Sequence, residues 1–190
     1  MQILYLGPEC TKLINYLQQQ GNDVAHTDKK IDLYSNILQG REFIVSFGYR
    51  HIITGDIISK FSRKIINLHI SLLPWNRGAD PNLWSFLENT PKGVTIHYLD
   101  EGIDTGDIIA QKEFLFARDE TLRSTYNKLS QAIQDLFVLI WPDFIRGAIT
   151  PKPQPEGTGS FHYAKDKKEF EYLLTDGWDT RISALIGKAL

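Results

Sequence analysis

The segment Asn67-Leu68-His69-Ile70-Ser71-Leu72-Leu73-Pro74 sets a carboxamide and an imidazole two residues apart in a run that begins as a β-strand. Alternate residues of a strand share a face, so Asn67 and His69 project to one side while Leu68 and Ile70 point to the other. Pro74 has no N–H to give to a ladder and turns the chain into the loop Trp75-Asn76-Arg77-Gly78. A second polar segment, Asp100-Glu101-Gly102-Ile103-Asp104-Thr105-Gly106-Asp107, follows an alternating strand that ends at Leu99. If the two strands are neighbours, its carboxylates reach the same edge. An amide that donates, an imidazole that donates or accepts, and a carboxylate that orients it are parts that steady an oxyanion and move a proton. Taken singly, each has a plainer use: Asn67 as a turn cap, His69 as a half-buried hydrogen-bonded histidine, Asp104 as a turn former.

The elements that must hold these groups can be read from periodicity. Residues 2 to 6 form a short apolar run closed by Gly7-Pro8, and Leu13, Ile14 and Leu17 then recur at helical spacing until Gly21. Further apolar runs at Phe43 to Phe47 and Ile65 to Leu68, separated by helix-compatible stretches, predict a parallel sheet with crossovers. The class is α/β. Asp80-Pro81 predicts a helix start, with the carboxylate capping free amides and Leu83, Trp84 and Leu87 on an apolar face that ends near Pro91. Val94, Ile96 and Tyr98 alternate as a strand, and another strand is expected from Asp107 to Phe116. The clearest helix carries Leu122, Tyr126, Leu129, Ile133, Leu136, Phe137, Ile140 and Phe144 on one stripe, with Pro142 bending the last turn and Gly147 ending it. Residues 150–160 read as an extended Pro/Gly-rich connector, and the tail beyond, with five bases and five acids, as a solvated helix or two. The expected organisation is a catalytic domain over residues 1–149 and a connector with a short C-terminal extension over residues 150–190.

A chain of 190 residues, 42% hydrophobic and 23% charged, is ordinary for a soluble globular protein and can bury a core. A net charge of −2 offers no general pull on polyanions, and residues 98–120 carry seven acids against Lys112 and Arg118. The reading is no nucleic-acid partner. Leu136 to Trp141 is too short an apolar run to cross a bilayer, so no membrane and a cytoplasmic location are expected. The single cysteine, Cys10, makes no internal disulfide and no multi-cysteine metal site. A metallohydrolase built on His69, His97, Asp104 and Asp107 lacks any His-Glu-x-x-His or comparable spacing, so no metal is expected.

Four segments in register carry a resemblance: Asn67 to Pro74, Arg77-Gly78, Gly93-Val94-Thr95-Ile96-His97 and Asp104-Thr105-Gly106. Together they resemble the formyltetrahydrofolate-dependent formyltransferases, closely over about residues 43–116 and loosely over the whole chain. The resemblance implies a Rossmann-like fold with a mostly parallel sheet flanked by helices, and Asn67, His69 and Asp104 as the catalytic trio. It implies 10-formyltetrahydrofolate as formyl donor, held between the loop Gly48 to Ile53 and the loop Tyr98 to Asp104, with Tyr49, Ile52, Tyr98, Gly102 and Ile103 as lining. His97 is expected to support the edge of the site as a strand residue.

Trp75, Asn76, Arg77 and Gly78 resemble the acceptor loop of enzymes that formylate nucleotide-linked amino sugars for surface glycans. Arg77 suits a forked pair with phosphate, and Trp75 or Trp84 suits stacking on a base, although Trp84 on a helical stripe suits a core equally. The chain departs from methionyl-tRNA formyltransferases in lacking a full C-terminal domain. It departs from glycinamide ribonucleotide formyltransferases at Gly7-Pro8-Glu9-Cys10, where that family has a glycine-rich phosphate loop. The expected acceptor is a UDP- or dTDP-linked amino deoxy sugar. The alternatives are those two other amines or a binding module without turnover. A homodimer is compatible with the sequence, which fixes no interface.

Overall fold

The short apolar runs become the middle of a sheet in a computed structural model that describes residues 1–190. In chain order the elements are β1 (Gln2–Leu6), α1 (Thr11–Gln19), β2 (Asp23–Thr27), β3 (Phe43–Phe47), α2 (Gly55–Lys60), β4 (Ile65–His69), β5 (Arg77–Gly78), α3 (Pro81–Leu87), β6 (Lys92–Tyr98), β7 (Ile108–Phe114), α4 (Leu122–Ile145) and β8 (Phe161–His162). Six strands pair in the order β2-β1-β3-β4-β6-β7. The pairs among β1 to β4 are parallel, whereas β6 runs antiparallel to both β4 and β7. The fold is thus α/β and mostly parallel, as the sequence predicts.

Strand alternation divides the core into two layers. Ile3, Tyr5, Phe43, Val45, Ile66, Leu68, Val94 and Ile96 point to the side covered by α1 and α4. Leu4, Leu6, Ile44 and Ile65 point to the other side, against Ile57 and Phe61 from the α2 region. Full burial of one such side chain stabilises by roughly 1.5–3 kcal/mol, so these two layers fix the register of β4. A slip of one residue there would move Asn67 and His69 into the α4 layer.

Helix α4 begins with a capping box in which Thr121 accepts from the Ser124 amide and Ser124 from the Thr121 amide. Its expected stripe is buried at Leu122, Leu129, Ile133, Leu136 and Phe137 and half-buried at Ile140 and Phe144, while Tyr126 is 41% exposed and meets Trp178 edge to face. The start of α3 differs from expectation. Asp80 sits at φ 52, in the left-handed region, and makes no side-chain cap bond. Its carboxylate pairs instead with Lys167 at 3.1 Å.

The tail also differs. Where one or two solvated helices are expected, short 3₁₀ segments form at Asp166–Leu173, Gly177–Asp179 and Ile182–Ala184. Ile182 and Leu185 are buried with Leu83, Phe86 and Leu87 of α3 in a third apolar cluster. The connector runs back over the molecule before that: Lys152 bridges Ile108, and β8 pairs with β5. No helix is long and apolar enough to cross a membrane.

Candidate active site

Asn67 and His69 lie on the α2 side of β4, and their partners across the antiparallel ladder are His97 and Thr95 of β6. Because β6 runs against β4, its end at Tyr98 pairs with Ile66, away from the C-terminal end of β4. The chain from Leu99 to Asp107 therefore has to fold back over the sheet face to bring a carboxylate to Asn67. It does so at Asp104, whose φ of 53 is left-handed. That conformation is uncommon for a residue with a side chain and is tolerated best by Asn and Asp among non-glycine residues.

The carboxylate is enclosed by two N–H donors and two imidazole rings. Asp104 Oδ1 accepts from Asn67 Nδ2 at 3.3 Å, and Oδ2 accepts from the Gly78 amide at 2.9 Å. Oδ2 lies 3.6 Å from His69 Nδ1, and Oδ1 lies 3.4 Å from His97 Nε2. The three sequence-predicted residues thus meet, with the neighbouring His97 as a fourth member. Gly78 has φ +86, and a Cβ there would stand 2.3 Å from the His162 carbonyl oxygen. Only glycine lets β5 approach β8 closely while its amide faces Asp104.

The hydrogen bonds determine which imidazole nitrogens carry protons. His69 Nε2 is 3.0 Å from the Asn76 carbonyl oxygen. A carbonyl only accepts, so in the neutral ring the proton sits on Nε2 and the Nδ1 lone pair faces Asp104. By the same argument His97 donates from Nδ1 to the Tyr98 carbonyl at 2.8 Å and turns Nε2 toward Asn67 and Asp104. Burial drives the His69 pKa down, opposed by Asp104 and reinforced by His97, so the ring is neutral near pH 7. Burial pushes the Asp104 carboxyl up, but His69, His97 and the Gly78 amide outweigh it and hold the group well below the usual carboxylate range. The result is a neutral base next to a fixed anion.

The acceptor-loop residues divide. Arg77 directs Nε and Nη2 to Gln154 Oε1, at 3.1 and 2.6 Å, while Gln154 Nε2 donates to the carbonyls of Asp104 at 2.8 Å and Gly106 at 3.0 Å. One connector residue therefore ties the Arg77 guanidinium to the Asp104 loop. Asn76, expected to meet the acceptor, turns its side chain inward and is 0% exposed. Trp75 is half-buried. Trp84 is core, stacked on His162 with centroids 3.7 Å apart.

Of the residues expected beside the folate, Ile52 is 77% and Ile103 45% exposed. Tyr49 anchors its loop by accepting from the Ile31 amide and donating to the Lys29 carbonyl. Gly102 closes a turn in which a Cβ would stand 2.0 Å from Thr105 Oγ1. Tyr98 is half-buried. Alternation sends it to the side opposite His97, where it packs on the α4 layer and takes Arg63 over its ring at 4.6 Å.

Residues 17–140 match the formyl transferase family model. A methionyl-tRNA formyltransferase of Halorhodospira halophila is 36% identical over 116 residues, 60% of this chain and 37% of that one. One from Myxococcus xanthus is 36% identical over 156 residues, with 75% and 50% covered. The chain thus spans half or less of these two curated relatives. The crystal structure of the formyltransferase PseJ from Anoxybacillus kamchatkensis, in complex with UDP-4,6-dideoxy-4-formamido-L-AltNAc and tetrahydrofolate, is 53% identical, covers all of both chains and superposes with a TM-score of 0.97. A 4-N formyltransferase from Francisella tularensis is 25% identical over 88% of this chain and 78% of that one, with a TM-score of 0.74. With the motif segments assembled into one site and the family model covering most of the chain, this protein belongs to the formyl transferase family.

Proposed function

We propose that this chain is an N-formyltransferase that moves the formyl group of 10-formyltetrahydrofolate to the primary amine of a nucleoside-diphosphate-linked amino deoxy sugar. The observation that carries the reading is the Asp104 carboxylate clasped by Asn67, Gly78 and two imidazoles. Agreement over the whole chain with PseJ, solved with a UDP-linked formamido sugar and tetrahydrofolate, supports the acceptor class. The match to methionyl-tRNA formyltransferases is less complete at 36% identity.

The folate supplies an activated formyl carbon, and the chain supplies the surroundings. An apolar slot suits a pterin ring, and Ile52 and Ile103 expose apolar surface on the two loops expected to form one. Asn67, its amide already oriented by Asp104, turns the hydrogen that faces His97 Nε2, with the two nitrogens 3.4 Å apart, to the oxygen on which negative charge develops. His69 takes the proton that the attacking amine loses, through its free Nδ1, and Asp104 steadies the imidazolium. That proton finally resides on the folate nitrogen that loses the formyl group, so the transfer is balanced. Arg77, reached past Gly78, binds the diphosphate. The test is incubation of the full chain with formyltetrahydrofolate and a panel of UDP- and dTDP-linked amino sugars, read by mass. A gain of one formyl group on a sugar is expected, and formylation of methionyl-tRNA with none on any sugar would refute the reading.

A further inference from the structure

We infer that Asn76 and Glu88 are positioning residues which, through a buried polar relay, keep His69 in the tautomer with its proton on Nε2 and its lone pair on Nδ1. The inference rests on the role proposed for His69 and extends it to residues that touch no substrate. Asn76 is fully buried, at a left-handed φ of 57, and its polar atoms are occupied. Its amide N–H donates to Ser160 Oγ at 3.0 Å, and Nδ2 donates to Glu88 Oε2 and to Ser160 Oγ, each at 3.2 Å. Its Oδ1 accepts from the Thr90 hydroxyl at 2.8 Å. The remaining carbonyl is the group that faces His69 Nε2. A peptide anchored on three sides cannot turn that carbonyl away.

Such an anchor is needed because the other tautomer has a strong attraction of its own. With the proton on Nδ1, His69 would donate toward the Asp104 carboxylate, a better acceptor than a peptide carbonyl. The imidazole would then have no lone pair on the side of the reacting amine. What disfavours that arrangement is the Asn76 oxygen, which would meet the bare lone pair of Nε2. Beyond the relay, Glu88 Oε1 lies 3.1 Å from His162 Nε2, a close approach without hydrogen-bond geometry, and the His162 ring stacks on Trp84. The chain end of α3, the loop before β5 and the C-terminal β8 therefore converge on one hydrogen-bond acceptor. On this view residues 150–162 form part of the site, not an appendage to it.

The experiment is long-range ¹H–¹⁵N spectroscopy of the imidazoles in the full chain without substrates, with His69 assigned by loss of its signals in His69→Gln, together with separate kcat and KM values. The wild-type spectrum is expected to show Nε2 protonated and Nδ1 bare. Glu88→Ala should give a mixed or inverted pattern for His69, with kcat lowered about tenfold and KM for both substrates changed by less than about twofold. Glu88→Gln keeps an oxygen for Asn76 Nδ2 and should restore both the pattern and most of kcat. Thr90→Val, nearly isosteric, should move the pattern in the same direction as Glu88→Ala and stands in if that variant does not fold. A wild-type His69 with its proton on Nδ1 overturns the inference. So does an unchanged His69 pattern in Glu88→Ala and Thr90→Val, whatever kcat does. The spectra need neither folate nor acceptor, so inactivity toward every sugar tested would count against the proposed function alone.

Discussion

Asn67→Ala separates catalysis from folding, because the structure assigns different amounts of free energy to the two. The Asn67 amide donates to Asp104 Oδ1 at 3.3 Å and approaches His97 Nε2 at 3.4 Å, both long for hydrogen bonds. Losing them costs the fold about 1 kcal/mol. Asp104 itself stays in place, because the Gly78 amide still holds Oδ2 at 2.9 Å and Gln154 still holds its carbonyl. For a domain of this size that loss lowers the melting temperature by roughly 2–4 °C. The transition state loses a preoriented donor to a developing oxyanion, a loss of about 3 kcal/mol, or a hundred- to thousandfold in kcat. The assay is single-turnover conversion of the formyl donor to tetrahydrofolate with an aminated nucleotide sugar, run beside a thermal melt. The reasoning fails if kcat stays within about fivefold of wild type, a change worth only about 1 kcal/mol. It fails equally if the variant unfolds, since Asn67 would then be a structural residue.

Asp104→Asn keeps a residue that tolerates the left-handed conformation but removes the anion beside His69, so kcat should fall about a hundredfold or more with a near-normal melt. Single-turnover rates and circular dichroism check it, and near-normal turnover would contradict the assignment. The folded-state pKa of His69 lies below its unfolded value, so between the two the unfolded chain holds the extra proton and stability rises with pH. Acidification from about pH 7 should therefore cost wild type up to about 1.4 kcal/mol per pH unit more than it costs His69→Gln, read by urea unfolding. Parallel losses in the two proteins would refute the burial argument. Arg77→Ala should raise KM for the nucleotide sugar about tenfold while leaving KM for the folate unchanged, as expected for loss of a charge-assisted phosphate contact. Equal effects on the two KM values would place Arg77 elsewhere.

Local pattern made the sheet and half of the site legible. The period-2 alternation around Leu68 fixes Asn67 and His69 on one face, and the same rule applied to Gly93 through Tyr98 puts His97 and Tyr98 on opposite faces. The placement of Tyr98 on the α4 side was therefore recoverable, because its neighbour His97 pairs with Asn67 in the ladder. That of Asn76 was not. Its burial follows from Glu88, Thr90 and Ser160 converging on it, and Ser160 is separated from it by 84 residues. Asp80-Pro81 carries a strong local cap signal, but Lys167 captures the carboxylate, a tertiary contact overriding a local preference. The 3₁₀ tail hid for a similar reason: its mixed charges suggest solvation, while Ile182 and Leu185 belong to the α3 cluster.

The antiparallel setting of β6 explains why the carboxylate depends on distant support. In a wholly parallel sheet the loops after neighbouring strands open at a common edge, and a catalytic aspartate could sit at a strand end. Here the loop after β6 starts near Ile66 and has to return across the sheet face to reach Asn67. Nothing in residues 99–107 alone directs that return. Asp100 ties the turn by accepting from Thr105 at 2.6 Å, and Arg63 pairs with Asp107 at 3.0 Å, but these contacts set only its base. The tip is held by Gln154 from the connector and by the Gly78 amide from β5, itself paired with β8. The position of the proposed catalytic carboxylate is therefore a property of the packed chain. A sequence motif can name Asp104, but the connector and β8 give it its place.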